Sequence, residues 1–297
     1  MPLNYEKLID IKPVLCGYIM EAQQMLDPEM APGEKVIHDV RVLMKKSRAS
    51  IKLLNNQMDV ESFNKEYFIF REVGRIMRTW RENSVHRKLL KDLKKRFPEL
   101  FSRLMDNEKI NILSGIPQIL NETSPEMKKD LVKIIGILHK SIFRIRFHAM
   151  KNLDQKLIRG ELERTFENVS ACFIKARNYT RNINLHRFRK KTKDFLYQLS
   201  FFRSLDPKAV KSLEKRIEAL AQNLGKYNDY AVLITTLGYT YPSVENSKAL
   251  DELIIIIKQE QDKYLLKVWP SAFRFFRPGN KLADLPGFKV PVNNPVF

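Results

Sequence analysis

Two segments of this sequence begin with a histidine and continue with basic residues spaced three or four positions apart. At about 100° per residue, this spacing places the basic side chains on one side of a helix, within a sector of roughly 80°. The first segment contributes His38, Arg41, Lys45, Arg48 and Lys52. The second contributes His186, Arg189 and Lys193. Because like charges at this spacing repel one another, the rows predict a surface whose charge a bound anion neutralises.

Further basic rows occur on other predicted helices, with cations on one side and apolar residues on the other. These rows comprise Arg71, Arg75 and Arg78; Lys133, Lys140 and Arg144; and Lys208, Lys211 and Lys215. The predicted binding residues also include Lys46, Lys190 and Tyr197, which adjoin the histidine-headed rows. An ordinary exposed helix mixes carboxylates with lysines, so rows of cations without acids favour a polyanion-binding surface over a merely solvated one.

The aromatic residues help to identify the polyanion. Proteins that read single-stranded nucleic acid interleave aromatic residues with cations, so that bases can stack on them. Here, apart from Tyr197, the aromatic residues fall on the apolar sides of these helices: Trp80, Phe188, Phe195 and Phe202. No zinc-finger spacing and no RNA-binding strand motif is present. Cations without stacking partners favour a polymer of phosphate alone, whose oxygens arginine binds in pairs. A nucleic acid is the alternative.

The histidines and acidic residues give no sign of a metal site or of catalysis. His38 and His186 have no companions at metal-ligand spacing, so we expect them to donate to a phosphate oxygen or to fix the helix starts. We expect a structural role, orienting a basic side chain, for Arg81, Glu82, Asn228 and Asp229. The sequence has no glycine-rich phosphate loop and no nucleophile-base signature. We therefore predict a binding protein without cofactor, metal or enzymatic activity.

The two histidine-headed helices belong to a larger internal repeat. A His-x-x-Arg-x3-Lys pattern occurs at His38 and again 148 positions later, at His186. A later Arg/Asn-Glu/Asp-x2-Val element occurs at Arg81 and again 147 positions later, at Asn228. Repetition in the same order predicts a tandem duplication of a unit of about 140 residues. The combined pattern, which covers about residues 5–275, resembles the conserved histidine α-helical domain (CHAD) family.

This resemblance implies an all-α fold of two pseudo-symmetric four-helix bundles that binds inorganic polyphosphate on a basic central surface. It also implies a place on polyphosphate granules. Asp194 and Leu196 stand in the second motif where the family often has basic residues, which implies a smaller share of binding for the second half. CHAD modules can be fused to triphosphatase-like domains, so an accessory role beside a polyphosphate-processing enzyme is a further alternative.

Composition agrees with a polyanion-binding protein that has real apolar cores. The chain has 297 residues, 44% of them hydrophobic, and a formal net charge of +19, which implies a polyanionic partner. Cys16 and Cys172 lie in apolar helical patterns, so we expect buried thiols in a reducing cytoplasm. The N-terminal segment lacks signal-peptide features. The apolar run Leu253–Ile257 is too short for a membrane span, and we expect no membrane partner.

Helical periodicity recurs throughout, and no stretch alternates as a strand does. We predict eight main helices at about residues 4–26, 34–56, 62–96, 125–158, 161–182, 184–204, 207–237 and 247–272. They form two halves, residues 1–158 and 159–276. The first half has an insertion at about 97–124 with room for a short helix. Prolines prevent a helix in the tail, residues 277–297, which we expect to extend over the fold or to be partly disordered.

Overall fold

The computed structural model of the chain describes residues 10–80, 82–106, 124–147, 154–240 and 248–289. Within these ranges the regular structure is all-α, which confirms the predicted fold class. Ten α-helices follow one another: α1 Ile11–Gln24, α2 Glu34–Lys52, α3 Val60–Thr79, α4 Glu82–Arg96, α5 Pro98–Asp106, α6 Pro125–Phe147, α7 Gln155–Asn178, α8 Asn182–Leu199, α9 Pro207–Thr240 and α10 Lys248–Phe276.

Several predicted helix bounds are wrong. The single helix predicted at 62–96 is two helices, because α3 ends at Thr79 and α4 begins at Glu82. The helix predicted at 125–158 ends at Phe147, and residues 155–158 belong to α7 instead. The last helix continues through Pro270 to Phe276, four residues beyond its predicted end. Apolar periodicity marks the side of a helix that is buried, but it does not mark the residue at which the helix ends.

Acidic caps fix several of these helix starts. Asp59 Oδ1 accepts a hydrogen bond from Ser62 N at 2.8 Å, and Asp206 Oδ1 accepts one from Ala209 N at 2.9 Å. Asp154 Oδ1 likewise accepts from Lys156 N at 2.8 Å. Each carboxylate satisfies a backbone N–H that the first turn leaves without a partner. The cap at Asp154 explains why α7 begins earlier than predicted.

The helices pack in two sets that meet at α2 and α8. In the first set, α1 and α3 each pack against both α2 and α6. In the second set, α8 and α10 each pack against both α7 and α9. The two histidine-headed helices, α2 and α8, are also in direct contact. The pseudo-symmetry of the two halves and the boundary between them at residue 158 stay predictions.

Among the described residues, two apolar cores hold the helices together. The larger core draws buried side chains from both sets, and it contains an aromatic group made of Phe166, Phe188, Phe195 and Phe276. The smaller core joins α4 and α5 to parts of α9 and α10. The insertion predicted at 97–124 therefore includes a packed helix, α5. The placement of Phe188, Phe195 and Phe202 on apolar sides is confirmed, because all three are fully buried.

The first part of the tail, residues 277–289, lies on the fold, whereas residues 290–297 are outside the described ranges. A short 3₁₀ helix covers Leu282–Asp284, and Leu282, Leu285 and Phe288 are buried. Gly287 adopts a φ of +87°, and a Cβ atom there would lie 2.7 Å from Val210 Cγ2. Only glycine therefore allows the tail this close an approach to α9.

The cysteines are free thiols, but they are half-buried rather than buried as predicted. Burial nevertheless raises the pKa of both thiols, while nearby cations lower it by less. This favours the protonated form, which is a poor nucleophile. Every helix in the described ranges is too short or too polar to cross a membrane.

Candidate functional site

The candidate site is built where α2 and α8 touch. Gln198 Nε2 of α8 donates a hydrogen bond to the backbone oxygen of Ala49 in α2 at 2.9 Å, and both residues are buried. Nearby, Lys52 Nζ lies 2.6 Å from Asp194 Oδ2. These contacts between buried or half-buried groups hold the two histidine-headed helices at a fixed separation. Their basic side chains can therefore contribute to one surface.

Basic residues from three helices come together beside this contact. Lys190 of α8 has a lowered pKa, first because of burial and then because four arginines act on it: Arg48, Arg78, Arg71 and Arg189. His186 also has a lowered pKa, mainly through burial and in part through Lys190, Arg189 and Arg78. We call this group the central cation cluster: Arg48, Arg71, Arg78, His186, Arg189 and Lys190.

The central cation cluster is open to solvent at some positions and closed at others. Arg71, Arg78 and Lys190 are exposed, so an anion can reach them from solvent. Arg48 and Arg189 are half-buried, and their Nε atoms are buried without a hydrogen-bond acceptor in the described part of the chain. A buried donor without an acceptor costs roughly 1–3 kcal/mol. An anion bound to the exposed members of the cluster would offset their mutual repulsion.

Neighbouring helices position the two equivalent arginines of the repeat. Arg41 Nη1 donates to the backbone oxygen of Gly74 in α3 at 3.1 Å. Arg189 lies over Gly225 of α9, where an added Cβ would be 3.6 Å from Nε and 3.7 Å from Nη2. The Arg41 guanidinium is thus held by a backbone oxygen of α3, and the Arg189 guanidinium lies where Gly225 has no side chain. Sequence reasoning missed Gly225, because a glycine within a helical pattern does not reveal which residue of another helix lies over it.

Asn228 of α9 is hydrogen-bonded to the histidine of the second motif. His186 Nδ1 lies 2.6 Å from Asn228 Oδ1. Because Oδ1 only accepts, Nδ1 carries the hydrogen, and Nε2 of the neutral ring is left as an acceptor. Protonation of Nε2 would convert it to a donor. Asn228 thus contacts the histidine of the second motif and not one of its arginines, and its orienting role stays a prediction.

Tyr197 lies beside the cluster. Burial raises the pKa of its hydroxyl, and the charges of Arg189 and Arg48 act in the opposite direction. The ring is half-buried, so it does not offer an open stacking face. Its hydroxyl is a hydrogen-bonding group close to two cluster arginines.

Three predicted binding cations are neutralised by carboxylates from within the fold. Lys52 pairs with Asp194, and Arg75 Nη2 lies 2.7 Å from Glu72 Oε1. Arg144 Nε pairs with Glu66, which is buried and also accepts from Ser141 Oγ. The prediction of rows without carboxylate partners is therefore wrong at these positions. For Lys52 and Arg144 the partner comes from another helix, which the pattern of a single helix cannot reveal.

Other predicted cations lie away from the cluster. Lys46 Nζ is 5.3 Å from the ring of Tyr18 in α1. Lys208, Lys211 and Lys215 are exposed near the start of α9. Lys211 precedes Asn228 by 17 positions on that helix, which is about 25 Å at 1.5 Å per residue. Only a long ligand could contact both regions at once.

Most of the remaining predicted residues lie on α2, α6, α8 and α9. His38 is exposed in the second turn of α2, while Lys45 and Lys193 are half-buried on α2 and α8. The pKa of Glu72 is lowered mainly by Arg75 and to a smaller extent by Lys133 of α6. Lys140 of α6 is exposed. Asp229 is half-buried. Arg81 lies outside the described residues, as does the side chain of Glu82.

The chain matches a known family. The family model described as CHAD domain matches residues 20–238, which include both histidine-headed helices, α3 and most of α9. No curated protein matches the chain. The matched segment contains the whole central cation cluster and ends before α10.

Proposed function

The chain belongs to the CHAD domain family, and we propose that it binds inorganic polyphosphate through the central cation cluster. Polyphosphate is a linear chain of phosphates without bases or sugars. Such a ligand needs cations and hydrogen-bond donors but no stacking surface. The central cation cluster has this character, since its members are arginines, a lysine and a histidine.

One observation carries the proposal. Four arginines surround Lys190 closely enough to lower its pKa in addition to burial, and two of them keep buried Nε atoms without acceptors in the described ranges. A cluster of this kind destabilises the free protein through like-charge repulsion and unsatisfied donors. A bound phosphate chain would offset the repulsion among these cations.

The test is a competition at fixed salt. Labelled long-chain polyphosphate is bound to the protein and then displaced with unlabelled polyphosphate, duplex DNA or single-stranded DNA of equal total charge. We expect polyphosphate to displace the label at the lowest concentration. DNA that displaces it equally well would contradict the proposal.

A nucleic acid is the second candidate, and one observation favours it. Phe143 and Phe147 of α6 are exposed, with ring centroids 4.5 Å apart, on the same helix as the exposed Lys140. Exposed rings beside a cation can stack on bases. The single-stranded DNA arm of the competition tests this reading, and replacement of both phenylalanines by alanine should leave polyphosphate binding unchanged.

We propose that this binding involves no reaction of the ligand. The cluster consists of cations and one histidine, which suits holding a phosphate chain, and the nearby carboxylate of Asp194 is paired with Lys52. Incubation of the protein with polyphosphate should release no orthophosphate above the rate in buffer. Release that depends on His186 or Lys190 would contradict this part of the proposal, and an accessory role would then be examined with the processing enzyme present.

We further propose that the protein associates with polyphosphate granules in the cytoplasm. A granule presents many phosphate chains at once, so even modest affinity per site would retain a protein with several basic faces. A fluorescent fusion should colocalise with granules, and it should become diffuse when Arg48 and Arg189 are both replaced by glutamine.

A further inference from the structure

A second group of cations surrounds an open cavity at the C-terminal end of the fold. The cavity has a volume of about 1040 Å³ and lies between α9, the end of α10 and the chain that follows α10. Four basic residues line it: Arg216, Arg274, Arg277 and Lys289. The lining also includes the carboxylate of Asp284, whose Oδ2 accepts a hydrogen bond from Lys281 N at 2.7 Å. Four cations and one carboxylate give this lining a net charge of +3.

The cavity walls are held in place by contacts within the protein. Phe288 is fully buried, with its ring 5.8 Å from that of Phe202. Asn280 Nδ2 donates to the backbone oxygen of Phe275 at 3.1 Å, and Asn280 Oδ1 accepts from Arg277 Nε at 2.9 Å. These contacts fix the tail before any ligand arrives. Binding would therefore cost little ordering of the chain.

Two of the lining cations are available for a ligand. The guanidinium groups of Arg216 and Arg274 form no hydrogen bond or ion pair with the described residues. Both residues are exposed. Their donors can therefore bind oxygen atoms of an anion without first losing a partner in the protein.

This cavity is separate from the central cation cluster. Arg216 precedes Asn228 by 12 positions on α9, which is about 18 Å along the helix. The match to the CHAD family ends at residue 238, whereas three of the four cations lie between residues 274 and 289. The site is therefore formed largely by the segment that follows the matched domain, with Arg216 contributed by α9 within that domain.

We propose that this cavity is an independent site for a triphosphate group. Each arginine can bind a phosphate group with two parallel hydrogen bonds. A net charge of +3 suits several consecutive phosphates better than one. The open cavity, with a volume of about 1040 Å³, has room for a triphosphate chain. Pro278 and Pro286 are exposed in the lining and offer apolar surface to a nucleoside. Inorganic triphosphate and a nucleoside triphosphate share the chemistry that the cavity would recognise.

The test is calorimetric titration of inorganic triphosphate into four proteins: the wild type, the variant R216Q/R274Q, the variant R48Q/R189Q, and the control R146Q/R181Q. The control removes two exposed arginines from α6 and from the start of α8. We expect two classes of site in the wild type and in the control. R216Q/R274Q should weaken triphosphate binding to the cavity site at least about tenfold and leave binding to the central cation cluster unchanged. R48Q/R189Q should remove binding to the central cation cluster and leave the cavity site unchanged. Circular dichroism checks that each variant is folded.

The outcomes separate this inference from the proposed function. Unchanged binding by R216Q/R274Q, or an equal loss in the control, overturns the cavity site. If R216Q/R274Q loses triphosphate binding while R48Q/R189Q binds as the wild type does, the result supports the cavity site and contradicts binding at the central cation cluster. Titration of ATP into R48Q/R189Q then identifies the source. If ATP binds more tightly than inorganic triphosphate, the ligand is a nucleoside triphosphate. If ATP binds equally well or more weakly, the ligand is the inorganic anion. If neither anion binds, the cavity site is overturned.

Discussion

His186 Nδ1 lies 2.6 Å from Asn228 Oδ1, so the second-motif histidine is fixed by a neighbour that cannot give it a proton. In the free protein, burial lowers the pKa of His186, and Lys190, Arg189 and Arg78 lower it further, against the opposing effect of the hydrogen bond that Nδ1 donates to Asn228. The ring is therefore neutral at pH 7. A bound phosphate chain would cancel the cationic field and raise this pKa.

Polyphosphate binding should consequently take up a proton at His186. Affinity should rise as the pH falls below about 7, where the bound state is protonated and the free state is not. Dissociation constants measured from pH 7.5 to 5.5 test this, with His186→Gln as the comparison. The variant should have a shallower pH dependence. An identical dependence in the wild type and the variant would contradict the coupling.

Lower pH should strengthen polyphosphate binding, but the lowered pKa of His186 should make the free protein less stable at lower pH. A histidine whose pKa is lower in the folded state than in the unfolded state favours unfolding once the unfolded state takes up its proton. The contribution of His186 to stability should therefore be lost as the pH falls through and below 6.5, the ordinary value for histidine. Urea unfolding at pH 7.5 and pH 5.5 should show a smaller loss for His186→Gln than for the wild type.

Lys190→Gln should stabilise the free protein while weakening binding. The substitution removes a cation that four arginines repel, and each such repulsion costs a few tenths of a kcal/mol. We expect the melting temperature at low salt to rise by about 1–3 °C. Lys129→Gln, an exposed lysine elsewhere on α6, is the control and should change it little. A lower melting temperature for Lys190→Gln would contradict the repulsive cluster.

Arg144 should behave as a structural residue rather than a binding residue. Its Nε pairs with Glu66, whose carboxylate is 3% exposed. Arg144→Ala would leave this carboxylate buried without its cation, at a cost of roughly 2–4 kcal/mol in the free energy of unfolding. Lys140→Ala, one turn away and exposed, should cost less than about 0.5 kcal/mol. Urea unfolding measures both, and equal effects would argue against the structural role.

Residue pattern alone predicted the fold class and much of the candidate site. The helical faces placed Arg48 in the first histidine-headed row and Arg189 in the second, and the structure brings both close to Lys190; that these residues bind an anion stays a prediction. This works because a helix fixes which of its own residues share a side. Pairings between helices were invisible: Lys52 with Asp194, and Arg144 with Glu66. The cationic cavity was missed because it joins Arg216 to a tail that lacks any periodic pattern.

Salt should weaken polyphosphate binding steeply, because phosphate contacts release counterions. By analogy with nucleic acids, six to ten contacts lose on the order of 10³–10⁵ in affinity between about 50 and 200 mM salt. R48Q/R189Q should reduce the slope of log affinity against log salt by roughly two. A wild-type profile that is nearly flat would exclude a multi-phosphate contact.

The most direct measurement is the dissociation constant of long-chain polyphosphate for the wild type, R48Q/R189Q and the charge-matched control R146Q/R181Q at one salt concentration. Hydrogen bonds to charged groups contribute about 1.5–3 kcal/mol each, so the loss of two cluster arginines should weaken binding at least about 100-fold. The control has the same net charge and should bind within about threefold of the wild type. If the control lost as much affinity as R48Q/R189Q, binding would come from diffuse charge, and the central cation cluster would not be the site.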